Sequence, residues 1–207
     1  MATISKATGI RNPALFICDI QEKFRPAIYE FSKLIPTATK LLTAANTLQM
    51  PIYVTTQNRS KLGDTIPELQ ARLSVPNVKA NIDKTLFSMV TPEIESLLPR
   101  VSAGEMPLDV IIVGIETHIC VTQTTLGLLE RGHRVYVVVD GVSSVHAEER
   151  GIALARLRDA GAVITSSESV LFEVLGDAGH GAFRAVSGLV KDMKEETKGA
   201  LEVFSKI

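Results

Sequence analysis

Short apolar runs alternate with longer stretches of helical spacing along most of the chain. Ala14-Leu15-Phe16-Ile17-Cys18 is unbroken by any polar residue and stops at Asp19. A run of that length, without strict alternation, reads as a strand buried on both faces. Over residues 36–50, Leu41, Leu42, Ala45 and Leu48 recur at helical spacing, and Pro51 stops the helix before a second strand, Ile52-Tyr53-Val54-Thr55-Thr56. A polar loop over 57–64 leads to a helix beginning near Pro67. Residues 77–82 predict a short third strand, 92–98 a short helix with Pro92 in its first turn, and 99–108 a loop.

The sharpest unit follows. Asp109-Val110-Ile111-Ile112-Val113-Gly114-Ile115 reads as a strand, and a helix then runs to Arg131 and closes at Gly132. Residues 134–139 form another strand, 148–159 a helix ended by Gly161, and 162–164 a sixth short strand. Ser166 or Ser167 caps the helix carrying Val170, Leu171 and Val174. The segment 191–198 is charged and helical, with Leu201, Val203 and Phe204 left to dock beyond it. Six apolar strands separated by helices predict an α/β fold: a three-layer, open, mostly parallel six-stranded sheet with helices on both faces. No linker or repeat divides it, so residues 1–207 are expected to form a single domain, with 181–207 as a C-terminal extension. Strand order is not written in the sequence.

Composition narrows the function class. Twenty-two Lys and Arg stand against 23 Asp and Glu, a formal charge of -1 in 207 residues. That balance provides no general electrostatic footprint for nucleic acid. No stretch approaches the roughly 20 apolar residues of a membrane span, and residues 1–12 lack a signal-peptide core. Two cysteines make neither a disulfide framework nor a four-sulfur metal cage. A cytoplasmic protein is expected, although Ser205, Lys206 and Ile207 come close to a peroxisomal Ser-Lys-Leu signal.

In an open α/β sheet, ligands bind beyond the carboxyl ends of the strands. Asp19 ends the first strand, Lys84 lies just beyond the third, and Cys120 begins the helix after the fourth. A thiolate near a helix N-terminus is favoured by inward-pointing amides and the helix dipole. An ammonium at Lys84 favours it further, and Asp19 is able to accept a thiol proton and return it to a leaving group. The same residues also fit a bland alternative of a buried thiol, a turn carboxylate and a solvated lysine. His118 stands two residues before Cys120, a spacing at which helical side chains do not face each other. His146, with Glu148 and Glu149, reads as peripheral, and His133 and His180 lack metal-ligand spacing. Phosphate-cradling and Gly-x-Ser-x-Gly motifs are absent, and Val113-Gly114-Ile115-Glu116 lacks the further glycines of a dinucleotide site.

Three motifs carry a resemblance: Phe16-Ile17-Cys18-Asp19-Ile20-Gln21, Asp83-Lys84-Thr85-Leu86-Phe87-Ser88, and Val113-Gly114-Ile115-Glu116-Thr117-His118-Ile119-Cys120-Val121. Over roughly residues 10–180 the chain resembles the isochorismatase-like cysteine hydrolase superfamily, most of all the small isochorismatase domain-containing proteins. The resemblance implies an Asp19, Lys84 and Cys120 triad that cleaves a small amide or related C–N bond through a thioester. It implies a cis peptide at Ile115–Glu116, which would aim the backbone N–H groups of Glu116 and Cys120 at an oxyanion. It also places Gln21 at the pocket wall, where a turn hydrogen bond is the alternative. Phe24, Tyr29 and Phe87 are candidate apolar walls, with core or subunit contact as their other reading, and Asn58 or Arg59 would meet a polar substrate end. A small-molecule substrate and a homo-oligomer are implied, with no cofactor. Residues 56–64 contain no histidine, so a nicotinamidase-type metal site is not expected. Two alternatives remain open: a silent scaffold binding another protein, and a non-covalent ether or ester hydrolase.

Overall fold

A computed structural model describes residues 9–206; Ile207 of the C-terminal tripeptide and the first eight residues of the 1–12 segment lie outside it. Six strands form one sheet: β1 (Pro13–Cys18), β2 (Ile52–Gln57), β3 (Val78–Lys84), β4 (Asp109–Ile115), β5 (Arg134–Ser143) and β6 (Val163–Thr165). Their order is β3-β2-β1-β4-β5-β6, and every neighbouring pair is parallel. The expected three-layer α/β sheet is present. Its order reverses between β1 and β4, which opens a crevice at their carboxyl ends, where such sheets bind ligands.

The unbroken apolar runs have a direct physical cause. Leu15 and Ile17 of β1 enter one hydrophobic cluster, while Ala14, Phe16 and Cys18 enter another on the opposite face. β4 divides in the same way, with Ile111 and Val113 against Val110 and Ile112. The first cluster is covered by α1 (Phe31–Thr47), α7 (Ser167–Leu175), α8 (Phe183–Asp192) and α9 (Lys194–Phe204). The second lies under α4 (Pro92–Glu95), α5 (Thr122–Glu130) and α6 (Ala147–Ala160). The short helices α2 (Arg59–Leu62) and α3 (Pro67–Gln70) lie in the β2–β3 crossover.

Several elements depart from the sequence expectation. The first helix begins at Phe31, so Pro36 lies inside it. An internal proline costs about 3 kcal/mol, and the extra turn buries Phe31 and Leu34 in the core. β5 runs on to Ser143 through a bulge: Ile112 pairs with Val137, but Gly114 pairs with Val142. The bulge rephases the strand, since Val137, Val139 and Val142 all reach the same cluster. Arg150 satisfies the carbonyls exposed there, donating to Val142 O at 2.9 Å and to Val139 O, while its guanidinium lies 4.8 Å from the Phe204 ring. Burial pushes Arg150 down to about 10. Phe204 thus finds its dock between β5, α6 and α1.

A polar seam holds the same C-terminal helix. Asp140 is fully buried and accepts from Ser167 N at 2.8 Å, from the Ser167 hydroxyl and from Thr37 Oγ1 at 3.5 Å. Beside it the buried Lys40 donates to Thr197 Oγ1 at 2.7 Å. Burial pulls the Lys40 ammonium down, against the charges of Asp140, Glu168 and Glu196.

Two outcomes test this architecture. A Cβ on Gly114 would lie 2.4 Å from Cys18 O and 2.5 Å from Cys18 Cβ. Gly114→Ala therefore costs about 1–3 kcal/mol or more, read as a fall in the urea midpoint; an unchanged midpoint would mean β1 and β4 are not packed this closely. His133 is buried and its Nδ1 accepts the Leu108 N–H at 3.2 Å. Burial, with the Arg131 charge adding, holds it below its ordinary 6.5. As pH falls through that value the unfolded chain takes up the proton first, so folding stability drops. His133→Gln should make that loss shallower between about pH 7 and 5, and equal slopes would contradict it.

Candidate active site

The rim at the carboxyl ends of the strands is built from unusual backbone. Asp19 after β1, Asn58 after β2 and Glu116 after β4 all have positive φ, at 55°, 45° and 54°. Non-glycine residues avoid this left-handed region at a cost of roughly 1–2 kcal/mol each. Such strain concentrates at functional sites. Among the described residues, three of the five non-glycine residues in this conformation stand at this one edge.

Lys84 is the last residue of β3, two residues beyond the predicted strand, where it pairs in register with Gln57. Its side chain crosses over β2 to β1. Nζ donates to Asp19 Oδ2 at 2.8 Å, to Gln57 Oε1 at 2.7 Å, and to the Leu86 and Phe87 carbonyls at 3.0 Å each. Both side chains of the Asp19–Lys84 pair are 1% exposed. Burial pulls the lysine down, but its interactions with Cys18, the hydrogen-bonded Asp19 carboxylate and Cys120 outweigh it and hold the ammonium above its ordinary range. Thr55, in register with Cys18, donates to Asp19 Oδ1 at 2.7 Å. The carboxylate is thus held from both oxygens.

Cys120 is 5% exposed and sits in a π-helical turn, Thr117–Val121, that precedes α5. Sequence periodicity predicts an ordinary helix here; the wider turn is closed by threonines. Thr122 Oγ1 donates to Thr117 O at 2.6 Å and Thr124 Oγ1 to Cys120 O at 2.7 Å. Thr124 Oγ1 also accepts from Met89 N at 2.9 Å, tying the loop after Lys84 to the turn that carries Cys120. The structure therefore joins Asp19 to Lys84 and ties the loop after Lys84 to the turn that carries Cys120.

Other expectations are corrected. Among the described residues no peptide bond is cis, including Ile115–Glu116. The chain turns instead through the left-handed Glu116, whose carbonyl accepts from Ile119 N and Val121 N. The Glu116 side chain is also engaged: Oε2 accepts from Val145 N at 3.3 Å and lies 3.4 Å from His118 Nδ1, which also meets Ser144 Oγ. Gln21 takes its turn-bonding alternative. It is fully buried, with Oε1 accepting from Gln57 N and Nε2 donating to Gln57 O and Gly63 O. It clamps the β2 loop to β1 and turns no free donor toward a ligand.

Phe24 is half-buried against the α1-side core rather than projecting as a wall. Phe87 is 51% exposed at the rim, and Tyr29 is 38% exposed beside Phe204. Asn58 is half-buried, and its Oδ1 accepts from Ser60 Oγ at 3.0 Å. Arg59 is engaged by Asp64 at 3.0 Å. Among the described residues no three His, Cys, Asp or Glu side chains gather as metal ligands. The donors near the β2 edge do not fit a metal either, since Asp83 accepts from Thr56 Oγ1 and Arg59 N, and Asp64 pairs with Arg59.

Residues 13–169 match the isochorismatase domain. The chain belongs to the isochorismatase family. Members of this family are hydrolases. Among similar proteins are the secreted isochorismatase effector Isc1 of Phytophthora sojae, 41% identical and covering 93% of both chains, and isochorismatase domain-containing protein 2 of Xenopus laevis, 40% identical over 95% of this chain and 91% of that one. A solved structure described as the MAR1 ribonuclease from Caenorhabditis elegans is 40% identical, covers 89% of this chain and 92% of that chain, and superposes with a TM-score of 0.79.

Sequence reasoning missed Thr55, Gln57 and Cys18 as partners of this cluster. Each lies at or near a strand end, but only the strand order puts them beside Asp19 and Lys84. A test of the cluster is the cost of breaking it. Lys84→Met leaves a buried carboxylate without its counter-charge and should lower stability by about 3–5 kcal/mol, measured by chemical unfolding. Adding Asp19→Asn should recover part of that loss. A single variant as stable as the parent would show that the pair does not hold the rim.

Proposed function

We propose that this isochorismatase-family protein is a metal-independent cysteine hydrolase that cleaves a small amide or related C–N bond. The observation that carries the proposal is the buried Asp19–Lys84 pair, joined at 2.8 Å beside Cys120. In this mechanism the Cys120 sulfur attacks the amide carbonyl carbon as the thiol proton passes to Asp19. Lys84, with its ammonium fixed by four acceptors, stabilises the anionic state of the sulfur. The backbone N–H groups of Glu116 and Cys120 are assigned to the oxyanion, presented by the left-handed Glu116 turn in place of the expected cis bond. Asp19 then returns its proton to the departing amine, leaving a thioester, which water hydrolyses with Asp19 as base. Phe87 and Asn58, at the rim, would meet the substrate. A small-molecule substrate and self-association of the chain belong to the same proposal.

A second reading, phosphodiester cleavage, is favoured by the description of the Caenorhabditis elegans relative as a ribonuclease. The formal charge of -1 offers it little electrostatic support. One set of experiments separates the two. With a panel of small amides, Cys120→Ala should remove turnover at least about a hundredfold, and intact mass should reveal an acyl adduct on Cys120. Alkylation of Cys120 followed against pH, with the fully buried Cys18 as a silent reference, should slow in Lys84→Met. Amide turnover that survives Cys120→Ala would sink the covalent mechanism. RNA cleavage by purified parent and Cys120→Ala alike, with no amide turnover, would establish the second reading instead.

A further inference from the structure

The amino ends of the strands form the opposite edge of the sheet from Asp19 and Lys84, and they carry a second concave site. His133 stands one residue before β5 and Leu108 one residue before β4. A cavity of about 300 Å³ opens there, lined by Glu95, Leu98, Val101, Glu130, Arg131 and His133 among others. Its walls are fixed by the chain itself. Arg100 N donates to Glu105 Oε2 at 2.8 Å, and Arg100 O accepts from Ala103 N and Glu105 N, so the loop on one side closes on itself. Gly132 turns with φ 85°, and a Cβ there would lie 3.1 Å from Val101 Cγ1. Glycine permits both that turn and that close approach.

One buried side chain at this cavity has a hydrogen to spare. His133 is 3% exposed, and its Nδ1 accepts the Leu108 N–H at 3.2 Å. An imidazole that accepts at Nδ1 carries its proton on Nε2. Among the described residues that N–H has no partner. It is not sealed in either, since the side-chain polar atoms there that are both enclosed and unbonded are Thr117 Oγ1 and Thr125 Oγ1. The free N–H therefore meets the cavity that its ring lines. Arg131 gives Nε to Glu95 Oε1 at 2.7 Å and Nη1 to Gly127 O at 3.0 Å, which leaves Nη2 without a partner among the described residues. Glu130 ends α5 with an exposed carboxylate, at a helix terminus whose dipole favours a cation.

We propose that this cavity binds a free α-amino acid with an aliphatic side chain. Its carboxylate accepts from His133 Nε2 and Arg131 Nη2, its ammonium pairs with Glu130, and its side chain lies on Leu98 and Val101. The lining decides the class. A buried N–H left without an acceptor is costly, so the ligand brings oxygen to His133. A lone anion gains little, because the carboxylates of Glu95 and Glu130 offset the guanidiniums of Arg100 and Arg131 around the same space. A zwitterion carries its own counter-charge and uses both ends of the lining. The volume suits a molecule of this size, at the small end of ligand pockets. The site is separate from the rim, and it stands or falls independently of the hydrolase reading.

The test uses the full-length protein with isotope-labelled histidine, read by nuclear magnetic resonance, and L-leucine as the probe. Isocaproate and isoamylamine are the same skeleton without the ammonium and without the carboxylate. Leucine should shift the His133 Nε2–H resonance, assigned by its loss in His133→Gln, and leave His118, His146 and His180 unmoved. The shift should saturate with a Kd of about 1 mM, and each half-molecule should bind at least about tenfold more weakly. By calorimetry, Glu130→Gln should weaken leucine about tenfold and leave isocaproate unchanged, whereas Arg131→Met should weaken both. Neither side chain is in the core, so both variants are expected to fold. The proposal is overturned if the His133 resonance stays fixed at about 10 mM leucine. It is overturned equally if isocaproate binds as tightly as leucine, or if leucine binds Glu130→Gln and Arg131→Met as it binds the parent.

Discussion

The buried ion pair between Lys84 and Asp19 is the constraint on which the rim depends. An ammonium taken out of water is costly unless its hydrogens find acceptors, and here four oxygens from three segments surround Nζ. Those acceptors join β1, the end of β2 and the loop after β3 around one charge. The Leu86 and Phe87 carbonyls are held in place by it, and Met89 then reaches Thr124 in the first turn of α5. The position of Cys120 relative to Asp19 is therefore set through a chain of contacts that begins at a single cation.

Two kinds of support surround this centre. The apolar clusters on both sheet faces make β1 and β4 rigid, with every residue of β4 buried. Polar contacts then fix the turns that the strands feed into. Gln21 uses its amide to clamp the β2 loop, and Thr122 and Thr124 bond the carbonyls of the π-helical turn. Left-handed residues at three strand ends are kept in an unfavourable conformation by these surroundings. The seam of Asp140, Lys40 and Arg150 holds α9 over β5, on the far side of the sheet from α5 and α6, apart from Arg150 itself, which reaches across from α6.

Local patterning was enough to reveal the six strands and the α/β class, because burial on both sheet faces leaves an apolar run that needs no partner to recognise. The same patterning put Asp19, Lys84 and Cys120 at strand ends. It misjudged elements governed by distant contacts: the start of α1 before Pro36, the length of β3 and the bulged extension of β5. The family resemblance implied a cis bond at Ile115–Glu116 and left Gln21 between a pocket wall and a turn hydrogen bond, where the folded chain uses a left-handed turn and a backbone clamp. Side-chain type and spacing are properties of a segment, and the sequence determined those alone. Which strand ends meet is decided by crossovers that place β2 between β1 and β3 and set β4 against β1. Only that order let Lys84 span to Asp19 and put Thr55 and Gln57 around the pair, since each contact closes a loop of the chain that no local pattern encodes.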